Sequence, residues 1–137
     1  MSITRLVAHV VWNTRLRKPT IPVAADSWLQ TLICRKLQSL DCVVGAVGNA
    51  DDHVHLVVWF PPSAALADLV AAVKGTTSRM WNLEWKELDR LVWQKGYWAN
   101  TCDPNSLDRL LTYVRRQREH HGTLGPVEAL EPVLEDD

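Results

Sequence analysis

The chain has 137 residues, which suits one domain with a single hydrophobic core. A hydrophobic share of 47% excludes a generally disordered chain, and no apolar run approaches the roughly 18 residues of a membrane-spanning helix. The formal net charge of −1 does not announce a nucleic-acid binder, but without Glu128, Glu131, Glu135, Asp136 and Asp137 the body carries 15 basic and 11 acidic residues.

Residues 3–13, with Leu6, Val7, Val10, Val11 and Trp12, read as a first strand. Arg15-Leu16-Arg17-Lys18-Pro19 follows as a basic loop. Asp26 or Ser27 caps a helix to about Ser39, with Trp28, Leu29, Leu32, Ile33, Lys36, Leu37 and Leu40 at helical spacing. Residues 41–48 form a second strand, Asn49 to Asp52 a polar turn, and Val54 to Phe60 a third strand, ended by Pro61-Pro62. Ser63 opens a second helix with Leu66, Leu69, Val70 and Val73 on one face, kinked at Gly75 and continuing through Arg79 and Trp81. Residues 91–100 resemble a fourth strand, and Asp103-Pro104-Asn105-Ser106 is a turn plus an N-cap. A final helix runs from Leu107 to about His120, with Gly122 as its stop. The order predicts an α+β fold: a ferredoxin-like βαββαβ antiparallel sheet with an additional C-terminal helix. Residues 1–125 form the domain, and 126–137 an acidic tail that is either a solvated end or a competitor of DNA for a basic surface.

Chemistry concentrates at two places. His53-Val54-His55 opens the third strand after an Asp-Asp turn. Residues i and i+2 of a strand share a face, so both imidazoles can hold one divalent ion, and a sheet-edge position would leave them exposed. A structural pair of strand histidines is the competing account. Asp52 either accepts an imidazole N–H or simply belongs to the turn, with the turn slightly favoured. In the last helix Tyr113 and Gln117 lie one turn apart, at the margin of the stripe made by Leu107, Leu110, Leu111 and Val114. A boundary aromatic and a surface amide would explain them as well. Together, a metal that grips a phosphate beside a tyrosine that can attack it suggests phosphodiester cleavage through a covalent tyrosine intermediate. Arg109, Arg115, Arg116 and Arg118 surround the pair, either as a solvated face or as phosphate contacts.

Asp52-His53-Val54-His55-Leu56-Val57-Val58 resembles the metal motif of the HUH single-tyrosine transposases of small bacterial insertion sequences, which include the REP-associated group. Lys74-Gly75-Thr76-Thr77-Ser78-Arg79, Trp93-Gln94-Lys95-Gly96-Tyr97, Tyr113-Val114-Arg115-Arg116-Gln117 and Glu119-His120-His121 extend the resemblance in the expected order. It implies that His53, His55 and Gln117 bind Mg²⁺ or Mn²⁺, and that Tyr113 is the nucleophile. The implied substrate is single-stranded DNA with hairpin ends. A homodimer is implied too, in which Tyr113 of one chain can face the histidines of the other. Arg15, Arg17, Lys18, Arg79, Arg115 and Arg116 are the expected DNA contacts.

Cys34, Cys42 and Cys102 lack paired spacing, which fits a reducing compartment, and no signal-peptide pattern opens the chain. A cytoplasmic enzyme is the expectation. His120 and His121 suit a helix C-terminus. The seven tryptophans are expected in the core or at interfaces, with base stacking by one or two as an alternative. The competing function is a domesticated, non-catalytic single-stranded nucleic-acid-binding protein of the same fold. A hydrolytic metalloprotein ranks last, because it needs more His and Asp ligands.

Overall fold

The computed structural model describes residues 2–119. The elements follow the sequence order: β1 (Val7–Asn13), α1 (Asp26–Ser39), β2 (Val43–Asn49), β3 (His53–Trp59), α2 (Leu66–Glu84), β4 (Trp98–Thr101), α3 (Leu107–Arg115) and α4, described over Gln117–Glu119. The four strands form one sheet in the order β2-β3-β1-β4, and each neighbouring pair is antiparallel. This is the predicted ferredoxin-like arrangement with its added C-terminal helix. The expected stop at Gly122 and the residues His120 and His121 lie outside the described residues, as does the acidic tail.

Alternation along the strands divides the sheet into two unlike faces. Ala8, Val10 and Trp12 of β1 join Val54, Leu56 and Val58 of β3 in the main core. α1 adds Leu29, Ile33 and Leu37, and α2 adds Leu69, Val70, Val73 and Trp81. The other face buries a smaller cluster of Ala46, Val57, Leu110 and Val114 beneath α3. The intervening positions on that face are His9, His53 and His55, all buried. One helix thus covers only part of this face, and a polar centre fills the rest.

Several local expectations are corrected. The first strand begins at Val7, not residue 3. α1 has Ala25 at its N-cap, because the Asp26 carboxylate is committed to Arg118 and Asn49. α2 starts at Leu66 rather than Ser63 and runs unbroken through Gly75. The fourth strand is only Trp98–Thr101. Residues 91–97 do other work. Leu91 is buried in the core, Trp93 makes one bridge to Thr14, and Gly96 turns the chain at φ +79°. This segment is pinned to α2. The Lys74 ammonium donates to the carbonyls of Gln94 and Gly96, and the Trp93 indole N–H donates to Thr77 Oγ1. The two motifs at 74–79 and 93–97 therefore form one structural joint that delivers the chain to β4.

Candidate metal and nucleophile site

β3 is an inner strand, flanked by β2 and β1, so His53 and His55 do not stand at a sheet edge. They are 1% and 0% exposed, which corrects the expectation of an exposed pair. Their rings meet edge to face with centroids 5.2 Å apart. Polar side chains so deeply buried must be hydrogen-bonded or ligated. His53 Nδ1 lies 2.7 Å from Asp52 Oδ1. Arg17 donates to both oxygens of the same carboxylate. Burial pushes the Asp52 carboxyl up, but hydrogen bonds from His53 and Arg17, with their charge, outweigh it and hold its pKa down at about 2. Asp52 is therefore ionised and accepts only, so His53 Nδ1 carries a proton. Of the two accounts of Asp52, the structure shows the imidazole partner.

The other end of His53 faces α4. His53 Nε2 is 3.1 Å from Gln117 Oε1, and Gln117 Nε2 donates to the Tyr113 carbonyl at 3.2 Å. The amide is thereby oriented with its oxygen toward the imidazole. The doubly protonated ring donates Nε2–H to the Gln117 oxygen, whereas the tautomer protonated on Nδ1 alone turns a lone pair toward it. In that second form a cation could take both lone pairs. The separation also matches neighbouring ligands of an octahedral ion bound at about 2.1 Å. The donor set, imidazole nitrogen and amide oxygen, suits a divalent first-row metal or Mg²⁺. Among the described residues no group of three or more His, Cys, Asp or Glu is arranged around a metal, so such a site depends on Gln117.

Gln117 does not continue the helix of Tyr113. α3 ends at Arg115, and Arg116 breaks it with φ −106° and ψ 32°, where the sequence predicts helix to about His120. α4 is then clamped. Arg118 makes two bonds of 2.8 Å to Asp26 and one of 2.7 Å to the Ile21 carbonyl. This clamp fixes Gln117, 1% exposed, against the sheet. Tyr113 is 5% exposed, and its ring lies 6.0 Å from that of His55 in the same chain. The four residues singled out by sequence thus converge within one protomer.

One histidine escaped the sequence reading. His9 of β1 is 2% exposed, and its Nε2 is 2.8 Å from His55 Nδ1. Its only sequence signal is a polar residue in an apolar strand, which does not identify the partner. Asn13, opposite His53 in the register, is also buried, and its Nδ2 has no protein partner. A cleft of about 530 Å³ opens beside these groups, lined by His9, Trp98, Asn100, Arg109 and Tyr113 among others. The fourth strand thus also walls this cleft, through Trp98, Asn100 and Thr101.

The expected DNA contacts fall in three places. Arg15, Arg17 and Lys18 line a groove of about 760 Å³ together with Arg90. Leu16 and Arg17 both have left-handed backbone there, at φ 55° and 54°, an arrangement held by the Arg17–Asp52 pair. Arg115 and Arg116 flank the end of α3, where Arg115 donates to the Gly45 carbonyl and Arg116 pairs with Glu119. Arg79 sits on α2, which packs on the opposite face of the sheet from the histidines. No helix among the described residues is long and apolar enough to cross a membrane.

Comparison with known proteins gives a consistent picture. A family model described as "Transposase IS200 like" matches residues 2–117. The ISDra2 transposase TnpA of Deinococcus radiodurans is 21% identical over 122 residues, covering 85% of this chain and 87% of that protein. The transposase for insertion sequence element IS200 of Salmonella typhimurium is 27% identical over 73 residues, covering 50% of this chain and 47% of that protein. Among solved structures, a Deinococcus radiodurans protein assigned as a transposase superposes with TM-score 0.67 at 20% identity, covering 85% of this chain and 94% of that one. A REP-associated tyrosine transposase bound to a REP hairpin also gives TM-score 0.67, at 14% identity, covering 89% and 72%.

Proposed function

The chain belongs to the IS200-like transposase family, and from that premise we propose that it cuts and rejoins single-stranded DNA through a tyrosine-linked intermediate. The observation that carries this reading is the approach of His53 Nε2 to Gln117 Oε1 at 3.1 Å, with the Tyr113 ring 6.0 Å from His55. His53, His55 and Gln117 would hold Mg²⁺ or Mn²⁺. When bound, such an ion polarises the scissile phosphate and neutralises developing charge.

The protein's own groups account for the rest. Asp52 keeps the proton of His53 on Nδ1 and so keeps Nε2 available as a ligand. The Tyr113 oxygen attacks phosphorus as the bond to the 3′ oxygen breaks. A 5′-phosphotyrosine forms, and the phenolic proton ends on the departing 3′-OH. One phosphodiester replaces another, so the reverse attack rejoins DNA without a nucleotide cofactor. The groove of Arg15, Arg17 and Lys18 would take the flanking phosphates, which makes binding weaken as salt rises. The hairpin carried by the REP-associated neighbour supports a hairpin-bearing single strand as the ligand class.

The test uses hairpin-bearing single strands from the sequence flanking the gene, with Mn²⁺. Wild-type protein should form an adduct that survives denaturing electrophoresis. Tyr113→Phe should bind DNA without forming one, and His53→Ala or chelation should also abolish it. An adduct of normal yield from Tyr113→Phe would remove Tyr113 from the role. DNA binding with no adduct from any strand would favour the non-catalytic binding protein. A homodimer is part of the proposal, with Asp103–Ser106 as the hinge for a site shared between chains. Mixed Tyr113→Phe and His53→Ala subunits should regain activity if the site is shared, and stay inactive if each chain supplies its own.

A further inference from the structure

We infer that His9 is a positioning residue that holds His55 in the tautomer able to ligate a metal through Nε2. The inference rests on the proposed metal role of His55. It starts from the register. His9 lies opposite Val57 on β3 and opposite Asn100 on β4, so it is diagonal to both His55 and Trp98 on the same sheet face. Its ring stacks on His55 at 5.0 Å and 29°, and meets Trp98 edge to face at 5.2 Å and 80°. Packed between these rings at 2% exposure, His9 has little room to rotate.

A 2.8 Å hydrogen bond between two imidazole nitrogens requires one donor and one acceptor. If His55 Nδ1 donates to His9 Nε2, the lone pair of His55 resides on Nε2, where a cation can take it. If the proton sits on His9 Nε2 instead, His55 carries its own proton on Nε2 and cannot ligate through that nitrogen. His9 therefore serves His55 as Asp52 serves His53: each occupies Nδ1 and makes Nε2 the ligand nitrogen. The partners differ in kind. Ionised Asp52 can only accept, whereas His9 can accept or donate.

Two variants separate this role from mere packing. His9→Leu keeps an apolar side chain in the space but removes the acceptor. His9→Gln restores an acceptor as an amide oxygen. Long-range ¹H–¹⁵N spectra of metal-free protein read the tautomer of His55 directly, and electron paramagnetic resonance reads Mn²⁺ uptake. Wild type should show His55 protonated on Nδ1. His9→Leu should lose that preference and bind Mn²⁺ about 10–100-fold more weakly, and His9→Gln should recover much of both. His9→Leu matching wild type in tautomer and affinity would overturn the inference, as would equal losses in Leu and Gln variants of intact fold. If wild type takes up no Mn²⁺, the metal reading fails. The spectra alone then decide whether His9 sets the His55 tautomer: a shift in His9→Leu supports it, and no shift overturns it.

Discussion

At Gly48 the sheet closely approaches the helix that carries Tyr113. It lies on β2 opposite His55 in the register. A Cβ built there would fall 1.7 Å from the Val114 carbonyl oxygen, 2.9 Å from its carbon and 3.3 Å from Gln117 Cγ. Ordinary contact begins at 3.4 Å, so in Gly48→Ala the backbone of α3 must retreat by about 1.7 Å from a close-packed interface. β2 cannot easily give way instead, because its ladder to β3 continues through Asn49. The retreat carries Gln117 away from His53 and Tyr113 away from His55. Overpacking of this kind costs about 1–3 kcal/mol of stability, which a domain can survive. A misplacement of about 1 Å costs roughly a hundredfold in rate, so the adduct should form at least that much more slowly. Gly45→Ala is the control. Its Cβ would strike the outer ring atoms of Trp59 and a Leu111 methyl, which are side-chain atoms that can move. Single-turnover adduct formation, with thermal unfolding measured alongside, reads both effects. Gly48→Ala within twofold of the parent rate, or Gly45→Ala failing as badly, would refute the reasoning.

Other expectations follow from neighbouring contacts. Asp52→Leu removes the acceptor that fixes His53, and Mn²⁺ affinity should fall by about tenfold or more; unchanged affinity would detach Asp52 from the site. Arg118→Ala breaks the clamp on Asp26 and Ile21, and should cost about 2 kcal/mol, seen as a Tm several degrees lower. An unaltered Tm would show that the clamp does not hold α4. Burial pushes the thiols of Cys34, Cys42 and Cys102 up, with Asp41 adding to the shift at Cys42. Raised thiols hold less thiolate at a given pH, so iodoacetamide should label the native protein slowly at pH 8 and faster as pH climbs past about 9, tenfold per unit at most. Rapid labelling at neutral pH would contradict that burial.

That His53 and His55 share a face was legible from the strand period of two, whereas Tyr113 and Gln117, read as one helical turn apart, are brought together across a break at Arg116. The partner across the sheet was not legible. His9 meets His55 only through the β1–β3 register, which pairs residues 46 positions apart. The burial of the histidines was misjudged for the same reason: only the strand order makes β3 an inner strand. Leu91, Val92 and Trp93 resemble a strand by composition, yet Lys74 and Thr77 hold the stretch 93–96 in a non-strand path. The break at Arg116 has no Gly or Pro to announce it. It follows from Arg118 being drawn to Asp26, a contact spanning 92 positions.

The bond from Gln117 Nε2 to the Tyr113 carbonyl has a thermodynamic consequence. The side chain proposed to meet the ion is tethered to the main chain of the residue proposed to meet the phosphorus. On that reading, undocking α3 would strip the metal site of one donor as it withdrew the nucleophile. Ion occupancy and helix docking are then linked equilibria, each strengthening the other by the same factor. The cation would act as a latch: at low occupancy the tyrosine helix swings out more often, and at saturation it is held against the sheet. A protein that must first cut, then release a strand end and receive another, would have in this tether a means of tying those movements to the filling of its metal site.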